Sequence, residues 1–287
     1  MLGSDAAAPR GRTVAEIALR LEGVSHVFHR DTPSEVRALD GVDLTLERGT
    51  FTVVLGTNGS GKSSLLNAIA GTLSLTSGRV YLEGEELTHW PEQRRARRIS
   101  RVFQNPFTGT ASDLSIAENL VLAGGRGDTR GLRRALGRER RHELREQVAR
   151  LGLGLEDRLD EAIGLLSGGQ RQALTLLMAT MVRPSLLLLD EHTAALDPRS
   201  AELVIRLTQA AVARGGLTTL MVTHSLGQAV ALGDRVLVMH RGRVVHDLGD
   251  VRRRRLTEAD LLQLFDRLRW ADRLDTPAAE MLRRAYI

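Results

Sequence analysis

Apolar and polar positions alternate along EIALRLEGV (residues 16–24) and VDLTLERG (42–49), the period of two expected of strands that bury one face. FTVVLG (51–56), LLLLD (186–190) and LTTLMVTH (217–224) are short, largely continuous apolar runs, as strands covered on both faces are. Residues 63–70, 170–182, 199–214 and 225–232 carry helical patterns between or after them. Strands alternating with helices predict an α/β fold on a mostly parallel sheet with right-handed crossovers. Residues 105–165 lack strong strand signals and read as a helical insertion. In LTEADLLQLFDRLRW (256–270), Thr257 and Asp260 stand at capping-box spacing. Leu261, Leu264, Phe265 and Leu268 then share one face of a terminal amphipathic helix, whose plainest role is to pack on the domain.

Composition narrows the class. A chain of 287 residues with 42% hydrophobic content can bury the core of one large domain, or of one domain with an inserted lobe. No apolar run approaches the roughly 20 residues that cross a bilayer. Asp5 stands where a signal peptide would be basic, so the chain is expected to be soluble and unexported. The absence of cysteine excludes disulfides, thiolate metal sites and cysteine nucleophiles. A net charge of +5 raises nucleic acid as a partner, with arginine runs at 94–98, 130–145 and 252–255. The plain reading of each run is a solvated helix face or turn. An aromatic content of 3% weakens a base-stacking binder, although a duplex-backbone binder would not need aromatics.

Lys62 is the only lysine; the other 39 basic residues are arginine. It lies in GTNGSGKS (56–63), which fits G-x-x-x-x-G-K-[ST] between the apolar run FTVVL and the helical SSLLNAIA. Gly56, Gly59 and Gly61 let the loop curl with its N–H groups inward, and the helix N-terminus adds partial positive charge for a phosphate. Lys62 is placed to reach β- and γ-phosphates and Ser63 to bind Mg²⁺. A compact ammonium fits inside such a ring of amides, whereas the planar guanidinium fork does not. The loop alone leaves kinases, GTPases and several kinds of ATPase open.

LSGGQ (166–170), ahead of a helix and then LLLLD and EHTAALD, narrows that choice. With it the sequence resembles the ATP-binding-cassette (ABC) family from about residue 17 to about 250, and the family's motifs stand in order. They are Phe28 in VSHVF, the phosphate loop, Gln104 in VFQNP, the signature 166–170, Asp190 and Glu191, AALD (194–197), and His224 in VTHS. The resemblance implies a P-loop NTPase core with a mostly parallel sheet, an N-terminal antiparallel β subdomain and an inserted helical subdomain. It divides the chain into an ATPase domain over 1–250, with the helical part at about 105–165, and a helical extension over 251–287.

The same resemblance implies an ATP site made of Gly56, Thr57, Asn58, Gly59, Ser60, Gly61, Lys62, Ser63 and Ser64. Phe28 would stack on adenine, a core phenylalanine being the alternative. Ser63, Asp190 and Gln104 would hold Mg²⁺, Glu191 would orient or deprotonate the attacking water, and His224 would sense the γ-phosphate. Gln104 would also link the nucleotide to the helical lobe. Ser167, Gly168, Gly169 and Gln170, with Asp197, would act across a head-to-tail homodimer that encloses two ATPs.

One departure stands out: His192 follows Glu191 where the family usually has proline, which would alter rigidity or add a titratable neighbour. A single motif set with no fused membrane region and no coiled coil implies a separate ATPase subunit under an integral-membrane permease at the cytoplasmic face of the cell membrane. Importer is favoured over exporter, with a lean to amino-acid-type substrates and an extracytoplasmic substrate-binding protein in the same system. No nucleic-acid partner is expected on this reading. The alternative is a soluble ABC ATPase that acts on nucleic acid or ribosomes through the arginine runs.

Overall fold

The structure, a computed structural model, describes residues 16–126, 137–249 and 255–268. The two alternating segments become long antiparallel partners, β1 (Ile17–Phe28) and β2 (Val36–Glu47). With β4 (Ser77–Leu82) and the short β5 (Glu85–Glu86) they form a four-stranded antiparallel sheet of order β2-β1-β4-β5.

The continuous apolar runs form the centre of a second sheet. Here β3 (Phe51–Gly56), β7 (Leu186–Asp190) and β8 (Thr219–Val222) lie parallel, with β6 (Ile99–Val102) on one edge. On the other side β9 (Arg235–His240) runs parallel to β3, and only β10 (Arg243–Leu248) is antiparallel, which gives the order β10-β9-β3-β8-β7-β6. Every residue of β3 is buried, as expected of a strand covered on both faces.

Each face of this sheet has its own core. On one, Val54, Leu188, Leu220 and Leu237 meet α1 (Lys62–Ala70) through Leu65, Leu66 and Ile69, together with the inner face of the antiparallel sheet. On the other, Val53, Leu187, Met221 and Val236 pack with Val212 of α6 (Pro198–Gly215) and Ala229 of α7 (Leu226–Leu232). Leu261 and Phe265 of the helix over 258–268, α8, are buried in this second core. Its start is capped as the spacing predicts: Thr257 N–H and Oγ1–H donate to Asp260 Oδ2, and Asp260 N–H donates to Thr257 Oγ1.

A third core belongs to a helical lobe. It joins Ile116 and Leu120 of α3 (Ile116–Gly124), Leu144 and Val148 of α4 (Arg138–Ala149), and Ala173 and Leu174 of α5 (Gly168–Met181). The short α2 (Glu92–Arg95) precedes β6.

Within the arginine runs Arg95 departs from the solvated face that the composition suggests, whereas Arg94, Arg97, Arg138 and Arg145 are exposed as expected. Arg95 is buried beside the end of α1, where its guanidinium donates to the carbonyls of Ala68, Ile69, Thr88 and Trp90. Arg98 is paired with Glu83 and Glu85, and on α4 Arg140, Arg141 and Arg145 pair with Glu143, Asp160 and Asp157. Arg95, and in part Arg98, make interior contacts, whereas the α4 pairs lie at the solvent-exposed surface. Residues 130–136 and 252–254 of the runs lie outside the described residues.

Candidate functional site

The phosphate loop joins β3 to α1, and its geometry follows from the glycines. Gly59 and Gly61 have φ of 76° and 99°, left-handed backbone that side chains disfavour. A Cβ at Gly61 would also lie 2.4 Å from Ala38 O. No side chain caps α1, so its first N–H groups are left for a ligand, and a phosphate suits them in charge and geometry. Lys62 is 6% exposed, and its Nζ donates to Gly56 O and Thr57 O, both at 2.9 Å. Burial pushes the ammonium below the usual lysine range, while Glu191 and Asp190 favour its charge. Thr57 and Ser64 are half-buried, Asn58 and Ser63 exposed, and Ser60 buried within the loop.

Two carboxylates face this loop. Leu186–Leu189 are buried and carry Asp190 out of the core at the C-terminal end of β7. Its Oδ2 accepts from Arg101 Nη2 at 2.6 Å, an ion pair with both side chains 13% exposed. Glu191 has φ of 44°, an unusual value for a non-glycine residue and one that marks a locally constrained turn. Its N–H donates to Val222 O, which ties the turn to β8. Glu191 Oε1 lies 2.7 Å from His224 Nε2, so an N–H there donates to the carboxylate. Thr57, Asn58 and His224 line one cleft with Thr223, Leu226 and, from α8, Leu262 and Phe265.

His192 resolves the departure at the family's proline position. It is 2% exposed, its Nε2 is 3.1 Å from Thr208 Oγ1, and burial pushes the imidazole down to about 4. Thr208 gives its own proton to Val204 O, so the neutral imidazole is the donor to Thr208. The ring is directed into α6 and serves as packing.

The signature segment forms a second helix N-terminus. Ser167 caps α5: its Oγ accepts from Gln170 N–H, and Gln170 Oε1 accepts from Ser167 N–H. Ser167 and Gly168 are exposed, whereas Gly169 is buried against α6. Asp197 caps α6 through Arg199 and Ser200 N–H, and the Ser200 hydroxyl first, then these N–H groups, hold its carboxyl below the usual range.

The remaining positions are more dispersed. Gln104 is exposed in the loop after β6. Phe28 is 40% exposed at the end of β1, outside the core, with the His26 ring edge-on at a centroid distance of 4.4 Å.

Three connecting residues escape sequence reasoning. Arg101 holds Asp190. Gln172 Nε2 donates to Phe103 O at 2.9 Å and His192 O at 2.7 Å, which ties the signature helix to the segments beside Gln104 and Glu191. Gln228 accepts from Thr223 Oγ1 and donates to Thr193 Oγ1, which joins the turn at His224 to the segment after Glu191. A lone Arg or Gln at such places carries no spacing signal that would have found it.

A family model described as ABC transporter matches residues 39–194. The tyrosine transport ATP-binding protein of Clostridioides difficile is 38% identical over 248 residues, covering 86% of this chain and 98% of that protein. The methionine import ATP-binding protein of Rhizobium johnstonii is 35% identical over 236 residues, covering 81% of this chain and 61% of that protein. Among solved structures, a dimeric ATP-binding cassette in a post-hydrolysis state, bound to ADP and Pi, superimposes with a TM-score of 0.69 at 27% identity, covering 80% of this chain and 97% of that one. With the α/β fold, the phosphate loop and the paired acidic residues on β7 and its turn, these matches establish that the chain belongs to the ABC transporter family, as one of its ATP-hydrolysing subunits.

Proposed function

We propose that two copies of this subunit close head-to-tail around two ATPs at the cytoplasmic face of a membrane and drive a separate permease that imports small solutes. The observation that carries the reading is the pairing of Glu191 with His224 at 2.7 Å, beside a phosphate loop with a buried lysine. In this reading residues 1–250 are the ATPase domain, about 105–165 its helical insertion and 251–287 an extension.

The β- and γ-phosphates sit on the uncapped start of α1, with Lys62 as the point charge, Gly56–Ser64 around them and Phe28 against the adenine. The oxygen donors Ser63, Asp190 and Gln104 suit Mg²⁺, and Asp190 Oδ1 is not the oxygen that Arg101 takes. No cluster of three or more His, Cys, Asp or Glu occurs among the described residues, which fits an ion held jointly with phosphates. Bound there, Mg²⁺ supplies neutralisation of the phosphate charge. Glu191 takes the proton of the attacking water and directs its oxygen at the γ-phosphorus in line with the departing ADP oxygen, while His224 fixes the carboxylate. Ser167, Gly168, Gly169 and Gln170, with Asp197, meet the nucleotide bound by the other copy.

A groove between the helical lobe and the edge of the parallel sheet, with Thr110, Leu122 and Met178 on its wall, is the docking place assigned to the permease. Import, and the lean to amino-acid-type substrates, rest on the resemblance and on relatives named for tyrosine transport and methionine import. An extracytoplasmic binding protein completes such a system.

Glu191→Gln tests the chemistry and the dimer together. Loss of one positioned base slows turnover by about 10² to 10⁴. ATP should then be trapped, and size-exclusion chromatography with ATP and Mg²⁺ should show a dimer that Ser167→Arg disrupts. Hydrolysis by Glu191→Gln at the parent rate would remove Glu191 from its role. Co-purification of a permease decides the partner, and salt-sensitive nucleic-acid binding in its place would favour the soluble alternative.

A further inference from the structure

The carboxylate assigned to the metal is already held by a residue that no part of the proposed chemistry uses. Arg101 stands on β6, the edge strand, in parallel register with Leu188 of β7. Its Nη2 donates to Asp190 Oδ2 at 2.6 Å and its Nη1 to Asn67 Oδ1 of α1, also at 2.6 Å. The guanidinium carbon lies 4.7 Å from the centroid of the Phe103 ring, a cation–π contact that helps fix its plane. Arg101 Nε is buried with no hydrogen-bond partner among the described residues. An unsatisfied buried donor is costly, so the side chain is held by its two terminal contacts at the expense of that third one.

We infer that Arg101 is a positioning residue for Asp190: it clamps Oδ2 and anchors the pair to α1, which leaves Oδ1 as the oxygen free to face the Mg²⁺ of the bound nucleotide. The inference rests on the assignment of Asp190 to Mg²⁺ made above. Physically the arginine has two opposed effects. Its positive charge lowers the attraction of the site for a cation, whereas the clamp stops the carboxylate rotating out of register. The two short contacts at nearly buried groups make orientation the larger effect. Lysine would keep the charge, but a single ammonium is poorly shaped to hold both Asn67 and Asp190 in the plane set by the fork.

Binding of a fluorescent ATP analogue to the full chain, titrated with Mg²⁺ and repeated in EDTA, separates orientation from charge. Arg101→Met should raise the Mg²⁺ concentration for half-maximal tightening on the order of tenfold, the lower range for groups that orient a metal ligand. Affinity in EDTA should stay at the parent value, whereas a merely structural defect would weaken binding in both conditions alike. Arg101→Lys should fall between parent and Arg101→Met. An unchanged or lowered half-saturation for Arg101→Met overturns the inference, because charge then dominates or the clamp is idle. If Arg101→Met does not fold, as judged by thermal melting, Asn67→Ala decides: it removes only the second anchor and should shift the Mg²⁺ titration in the same direction, and no shift overturns the role. Asp190→Asn keeps the two readings apart. If that variant leaves the Mg²⁺ titration unchanged, the metal assignment itself falls; if it shifts the titration and Arg101→Met does not, only the positioning role falls.

Discussion

The N-termini of α1 and α5 lie in the glycine- and serine-bearing motifs GTNGSGKS and LSGGQ, yet they are finished in opposite ways. At α1 no side chain caps the helix, and the lysine beside it is buried on the loop's own carbonyls. At α5 the cap is complete within the chain, Ser167 and Gln170 satisfying each other, while Ser167 and Gly168 remain exposed. An uncapped terminus is a half-made site that a bound phosphate completes. A capped and exposed terminus is stable by itself and suits a surface presented outward. The contrast fits the proposed division between a terminus that holds the nucleotide of its own chain and one that faces a nucleotide held by the other copy.

The largest effect should come from Lys62. Lys62→Ala removes a charge-assisted contact worth about 1.5 to 3 kcal/mol, so ATP affinity should fall by about one to two orders of magnitude in an equilibrium binding titration. Lys62→Arg should fail nearly as badly, since the fork does not fit among the loop amides. Near-parent binding by the arginine variant would show that charge alone, without the closed geometry of the α1 terminus, is sufficient.

A smaller effect is expected at the other helix. A Cβ on Gly169 would lie 2.5 Å from Ser200 Oγ, so Gly169→Ala should push α5 away from α6. Overpacking of this kind costs typically 1 to 3 kcal/mol in chemical denaturation. Ser200→Gly in the same chain should recover part of the loss, and strict additivity of the two changes would disprove the contact.

Ser167→Ala should be the mildest. Loss of the cap costs about 1 kcal/mol of stability, and ATP affinity of the isolated monomer should stay at the parent value. A fall in monomer affinity would collapse the distinction between the two termini, because α5 would then be serving the nucleotide of its own chain.

The strand–loop–helix around Lys62 was legible in the sequence because its parts are local: an apolar strand, glycines at the turn and a helix, all within a few residues. The capping pair Thr257 and Asp260 was legible for the same reason, and so were the buried strands that deliver Asp190 and His224. The short strands β5 and β6, with two and four residues, carry too few positions for a period to show.

Sequence by itself thus determined the α/β alternation, the phosphate loop and the carboxylates at the end of β7. Only the tertiary structure decided that Arg95 is interior, that His192 is a buried neutral ring, and that Arg101, Gln172 and Gln228 join the site's segments. The physical reason is range. A turn or a cap is fixed by neighbours in the chain, whereas Arg101 and Asp190 meet across 89 positions because β6 and β7 happen to pair. Whether an arginine is solvated or clamped depends on which carboxylate or carbonyl the topology brings to it, and the residue type alone does not carry that.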